Sequence, residues 1–205
     1  MKNNSLMMCV LVSSALMLTG CATVPISAGP NVYSLQKITG GPLIVVPQVT
    51  DNRVEKKRLG MIGAASFSTE SDLAESVTNY LLTQLHNEGF NFERVSYVDP
   101  QDPQEVKERV NLSHGRGLLY VSLEEVHLSS FDAIMQPTEV NVVLHAVLFD
   151  EGGNTLFDDR IRSSVSKRLG IGTQGAVANL VEQAIKQSVG DLVNQEELSN
   201  NLKKI

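Results

Sequence analysis

Residues 138–168 constrain the fold more than any other stretch. TEVNVVLHAVLFD sets Val140, Val142, Leu144, Ala146 and Leu148 at alternate positions. EGGN follows, and TLFDDRIRSSVSKR returns with mostly polar side chains. Alternation with period two collects the apolar set on one face of a strand. A glycine-containing break of four residues between two such runs reads as a hairpin turn. GLLYVSLEEVHLSS, residues 117–130, supplies a further strand just before them. A sheet with one apolar face results, and something must cover that face.

Three segments can cover it. SDLAESVTNYLLTQLHNEGF carries Leu73, Val77, Leu81 and Leu85 at helical spacing, with Tyr80 and Leu82 beside them. Ser71 or Asp72 caps it, Glu75 stands three beyond Asp72, and Gly89 with Phe90 stops it. Asp102-Pro103-Gln104-Glu105 opens a second helix, with the proline at its first position and Val106 and Val110 facing inward. That helix ends at Gly115 or Gly117. A third runs from Thr173 to about Val193 with Val177, Leu180, Val181, Ala184, Val189 and Leu192 on one side. The polar tail QEELSNNLKKI frays or extends it.

Leu43-Ile44-Val45-Val46 is a continuous apolar run, the pattern of a strand covered on both faces. Pro47 cannot donate to a ladder, which marks an edge or a bulge there. DNRVEKKRLGMIGAASFS reads as a long loop or loose hairpin, and Phe90, Phe92, Val95 and Tyr97 as a strand. The order β-α-β-α-β-β-β-α predicts an α+β fold. It is a single sheet of about five mainly antiparallel strands, covered on one face by two or three helices. With 205 residues, 42% of them hydrophobic, the chain supports one such core. A formal net charge of −6 offers no general basic surface, and no C2H2 spacing, RNP signature or basic region occurs. No nucleic-acid partner is expected.

The first residues, MKNNSLMMCVLVSSALMLTGC, join a short positive region to an apolar stretch from Leu6 to Leu18. That stretch is short for a permanent span, which takes about 20 apolar residues, and fits the core of a secretory signal. It closes on Leu18-Thr19-Gly20-Cys21, which resembles a bacterial lipobox. The resemblance implies a diacylglyceryl thioether on Cys21, cleavage before Cys21 and acylation of the new amine. Cys9 would leave with the signal, and no cysteine pair would remain for an intramolecular disulfide. Ala22 stands where an Asp commonly retains Gram-negative lipoproteins in the inner membrane, so the same resemblance implies the outer membrane. The expected organisation is a lipoprotein signal over 1–20, the lipidated cysteine with a flexible tether over 21–41, and a periplasmic α+β domain over 42–205. A tether of that length spans roughly 25 Å.

The strand ending near VTDNR, the following LG and small-residue run, the helix SDLAESVTNYLLTQLHNEGF, the later hairpin and the last amphipathic helix resemble the YajG-like bacterial lipoproteins. Asp72, Leu73, Leu85, Gly89 and Phe90 carry the resemblance best, and it covers residues 42 to about 195. It implies an outer-membrane anchor and brings no catalytic residues. The arrangement is also similar to auxiliary lipoproteins of envelope transporters and cell-wall synthases.

Other candidate chemistry is thin. GIGTQG, residues 170–175, matches G-x-G-x-x-G but lacks the following parallel strand with its acidic residue. RLGMIGAAS, residues 58–66, lacks the Lys-Ser/Thr of a phosphate loop. His127 and His145 sit on strands that can be neighbours, with no further ligand at a known spacing, and His86 and His114 lie apart. Asp150, Glu151, Asp158 and Asp159 flank one turn without the alternation of a calcium loop. No G-x-S-x-G elbow occurs. No cofactor, metal site or enzymatic activity is expected. Two functions remain. One is a non-catalytic interaction module, anchored through Cys21, that binds another envelope protein. The alternative is a transport auxiliary whose cleft between helices and sheet holds a lipid or small apolar ligand.

Overall fold

A computed structural model describes residues 21–35, 38–130, 137–169 and 174–205. The signal expected over 1–20 and residues 170–173 of the glycine run lie outside the described residues. The strands are β1 (Cys21–Thr23), β2 (Leu43–Pro47), β3 (Thr50–Asp51), β4 (Arg58–Ile62), β5 (Ala65–Ser68), β6 (Asn91–Val95), β7 (Gly117–Ser130), β8 (Thr138–Asp150) and β9 (Thr155–Lys167). The helices are α1 (Leu73–Asn87), α2 (Pro103–Leu112), α3 (Gln174–Val193) and α4 (Glu196–Leu202), with a 3-10 turn at Val32–Ser34.

The fold is α+β, but its sheet is larger than expected and mixed: nine strands among the described residues. The long strand β7 is its spine. One side pairs antiparallel with β8, which pairs with β9, as the alternating pattern requires. The other side is divided along its length. β2 pairs in parallel at Leu118, β3 at Ser122 and β4 at Leu128. β6 extends β2, while β5 and then β1 extend β4. Of the segment read as a long loop or loose hairpin, residues 58–68 form the β4–β5 hairpin, and several strands of the sheet are parallel because helices return the chain to the same end.

Pro47 explains the break between β2 and β3. It is the last residue of β2, where the ladder to β7 has already ended. The next free amide, Val49 N–H, donates instead to Thr78 Oγ1 on α1 at 3.1 Å. β2 is thus an inner strand with Ile44, Val45 and Val46 wholly buried, and the proline sits at its end and not on a sheet edge.

The helices lie on both faces, not one. α1, α3 and α4 cover the main core, which takes Ile44, Val46, Leu119, Val121, Leu144, Ala146 and Leu148 from the sheet. α2 covers one end of the opposite face, where Val106 and Val110 meet Val45, Leu118, Tyr120, Val147 and Phe149. Alternate residues of the same strands serve the two cores, which is why runs such as LLYV are apolar throughout. Leu73, Val77, Leu81 and Leu85 of α1 are fully buried, each contributing about 1.5–3 kcal/mol by removal from water. Asp72 Oδ1 accepts from Glu75 N–H at 3.0 Å, and Phe90 N–H closes the far end on Leu85 O. Asp102 caps α2 in the same way. Its end differs from expectation: His114, not a glycine, takes the left-handed conformation at φ 53°.

Two segments change character. The tail forms α4, with Leu198 and Leu202 wholly buried, so it neither frays nor prolongs α3. Residues 21–35, expected as tether, pack along the domain. β1 pairs with β5, and Val24, Ile26 and Val32 are buried. Ser76 Oγ donates to Ser27 O, and Asn79 Nδ2 to Ala28 O. Its apolar residues are too irregularly spaced to show as an element, yet Val24, Ile26 and Val32 join the main core.

Candidate functional site

Cys21 opens β1 and is exposed. It stands beside Ser66, one residue past the start of β5, on the outermost strand of its half of the sheet. Nothing about its local environment suggests redox or metal chemistry. What marks it is the sequence before it, Leu18-Thr19-Gly20, together with its exposure on an outer strand.

A groove of about 420 Å³ opens between the 32–35 segment, α1 and β6. Val32, Leu35, Leu43, Leu82 and Phe92 give it apolar walls. Tyr33, His86, Asn91, Glu93 and Arg94 complete the lining. Arg94 donates from Nη1 to Glu75 Oε1 at 3.0 Å and lies 3.5 Å from the Tyr33 hydroxyl. The hydrogen bond from Arg94 holds the Glu75 carboxyl below its ordinary pKa despite partial burial. Tyr33 itself is 84% exposed. A mostly apolar cleft with few polar groups is the usual form of a small-ligand site. The groove was not legible in the sequence, because Val32, Tyr33 and Leu35 lie in a stretch without periodicity. Val32-x-x-Leu35 was the only available sign.

The second polar concentration is the part of the β7–β9 face that α2 leaves open. His145 Nε2 lies 2.7 Å from Asp158 Oδ1, and Arg160 Nε donates to Glu124 Oε2 at 2.8 Å. β7 and β8 are neighbours, as expected, but His127 faces Asn141 while His145 faces Ser122. Four residues of strand separate the two histidines, about 13 Å, so they do not form a pair. The four carboxylates at the hairpin also diverge. Asp150 accepts from the amides of Gly152 and Asn154, and Asp158 faces His145. Asp159 takes Gln195 Nε2. Burial alone would raise the Asp150 pKa, but the Asn154, Gly152 and Gly153 hydrogen bonds outweigh it and lower the value. Among the described residues no group of three His, Cys, Asp or Glu could hold a metal.

The glycines of RLGMIGAAS have a structural reason. Gly60 has φ 142° and presses against the Leu128 backbone, while Gly63 turns the β4–β5 hairpin. Of GIGTQG, only Gln174 and Gly175 fall within the described residues, opening α3. A buried pair unforeseen in the sequence is Arg53 with Asp51, joined at 2.7 and 2.9 Å, which pins the segment after β3. No described helix is long and apolar enough to cross a membrane.

No protein-family model matches the chain, and no curated protein does. Solved structures do share its shape. Protein XCC0632 from Xanthomonas campestris, of family DUF330, is 11% identical with a TM-score of 0.54. The match covers 90% of this chain and 98% of that one. The hypothetical protein CT253 from Chlamydia trachomatis is 7% identical with a TM-score of 0.51, covering 75% and 96%. Lipoprotein GNA1162 from Neisseria meningitidis is 12% identical with a TM-score of 0.43, covering 73% and 99%. At these identities the first two likenesses establish a common fold and nothing more about activity. This chain has the α+β architecture of those bacterial proteins.

Proposed function

We propose that this protein is a lipid-anchored component of the bacterial cell envelope that works by binding and not by turnover. The diacylglyceryl group is carried on Cys21 at the periplasmic side of the outer membrane. The carrying observation is Leu18-Thr19-Gly20-Cys21 ending an apolar signal-like run, with Cys21 exposed. The YajG-like resemblance supports this reading. Anchoring confines the domain to a thin layer and raises its effective concentration for partners in that layer. The expected partner is another envelope protein. The test is Cys21→Ala in cells fed labelled fatty acid. Loss of label and accumulation of the uncleaved precursor are expected; label retained on the variant would refute the anchor. Crosslinking and co-purification from membranes then identify the partner, whereas turnover of any substrate by the pure domain would refute the binding role.

The groove favours a second reading, an auxiliary of an envelope transport system that holds a small apolar ligand. Its apolar walls and Arg94 at the rim suit an acyl chain with a polar head. A fatty-acid probe that binds the wild type and fails to bind Leu82→Glu, with both proteins folded, supports it. Equal binding by both refutes it.

A further inference from the structure

The anchor and the topology together orient the whole domain. Val24, three residues after Cys21, is fully buried, and its backbone is held on both sides. Its N–H donates to Ser68 O at 2.8 Å, and its carbonyl accepts from Thr69 Oγ1 at 2.7 Å. Three extended residues reach at most about 10 Å. A lipid on Cys21 therefore holds this end of the sheet against the bilayer, with none of the roughly 25 Å of slack of a free tether.

The strand directions say what else is at that end. The start of β1 lies beside the β4–β5 turn, because Cys21 faces Ser66 and Met61 faces Ser66 from the other side. The end of β7 is there too, with Ile62 facing Ser130. So are the start of β8 and the end of β9, since Thr138 faces Lys167. Residues 59–68 carry no charge, and Gly63 and Ala64 are exposed at the turn. Lys167 and Arg168 are exposed cations at the end of β9. Glu139 is the carboxylate nearest to them on β8, and it accepts from Ser164 Oγ. The far end is mixed in charge. Asp150 and Glu151 form the β8–β9 turn, which touches Pro103 at the start of α2, and Asp102, Glu105 and Glu108 belong to that helix or its cap. Lys107, Arg109, Arg116, Lys203 and Lys204 stand at the same end and balance these carboxylates. The short link to Cys21 holds the Lys167–Arg168 end near the bilayer, and an anionic surface there meets these two cations beside an uncharged turn within a Debye length of about 8 Å.

We propose that the β4–β5 turn and Lys167–Arg168 rest directly on a phospholipid leaflet containing anionic lipids. The domain then stands on the membrane in one orientation, with the β8–β9 turn and α2 facing away. This rests on the lipid anchor at Cys21. β8 runs 13 residues between the two ends, about 40 Å, so the far end lies well outside the leaflet.

The protein has no tryptophan, so one introduced indole reports position. Ala64→Trp and Glu151→Trp forms are purified with their lipid and reconstituted in vesicles of phosphatidylethanolamine and phosphatidylglycerol carrying brominated chains. Bromine quenching at position 64 should exceed that at 151 at least threefold. Lys167→Glu with Arg168→Glu should cut the quenching at 64 by half or more. Equal quenching at both positions means a freely tumbling domain and overturns the proposal. Stronger quenching at 151, or no response to charge reversal, also overturns it. Mass measurement of the purified protein separates the two readings. If Cys21 carries no lipid, the anchor fails, and coupling the Cys21 thiol to a maleimide lipid then tests the orientation alone with the same quenching criterion.

Discussion

Gly60→Ala tests whether the glycines of the β4–β5 hairpin serve the fold. A Cβ at Gly60 would stand 1.9 Å from the Leu128 carbonyl oxygen, 2.8 Å from its carbonyl carbon and 2.9 Å from its nitrogen. Carbon and oxygen approach no closer than about 3.3 Å even in favourable contacts, so β4 must retreat by more than 1 Å. The φ of 142° is also one that side-chain-bearing residues rarely adopt, a strain of about 1–3 kcal/mol. Retreat weakens the three-rung pairing of Gly60, Met61 and Ile62 with Leu128, Ser129 and Ser130. Losing about two backbone hydrogen bonds adds roughly 2 kcal/mol. The expected total is about 3–5 kcal/mol. Gly63 is the internal control. It also has positive φ, 56°, but an added Cβ there meets nothing within 4 Å, so Gly63→Ala should cost only about 1–2 kcal/mol. Urea unfolding at an m-value of about 2 kcal/mol/M separates these as a midpoint shift of roughly 1.5–2.5 M against 0.5–1 M. If Gly60→Ala costs no more than Gly63→Ala, the close approach to β7 is wrong, and the case for a purely structural glycine goes with it.

Other outcomes are expected. Leu198→Ala and Leu202→Ala should each destabilise by about 2–5 kcal/mol, because both are wholly buried; an unchanged unfolding midpoint would mean that α4 is not part of the core. Leu81→Ala should cost a similar amount, since that face of α1 fills the main core, and a wild-type midpoint would make the face a partner surface instead. Glu75 is held below its ordinary pKa by Arg94. Its contribution is present above the unfolded value of 4.5 and lost as the pH falls through the lower folded value. Melting curves from pH 7 to 3 should therefore lose stability below about pH 4.5, and Glu75→Gln should show a smaller acid loss than wild type.

The sequence by itself determined every long element and the location of the candidate anchor. Periodicity was enough where a helix buries one continuous face, as in α1 and α3, apolar runs marked β7 and β8 although these bury both faces, and capping residues placed the helix starts at Asp72 and Asp102. The Leu-Thr-Gly-Cys run needs no fold to be read. Tertiary structure alone decided how the sheet is divided. β3, β4 and β1 are too short to show a period, and each is a strand only because β7 or β5 offers an unpaired edge beside it. The same holds for the supposed tether, where Val24, Ile26 and Val32 join the main core through packing that no local pattern announces. The groove and the shared end of Cys21, Ala64 and Lys167 arise from contacts between residues far apart in the chain. Local sequence encodes which face of an element is apolar; which surfaces meet, and which end of the sheet carries the cysteine, is settled by pairing at long range.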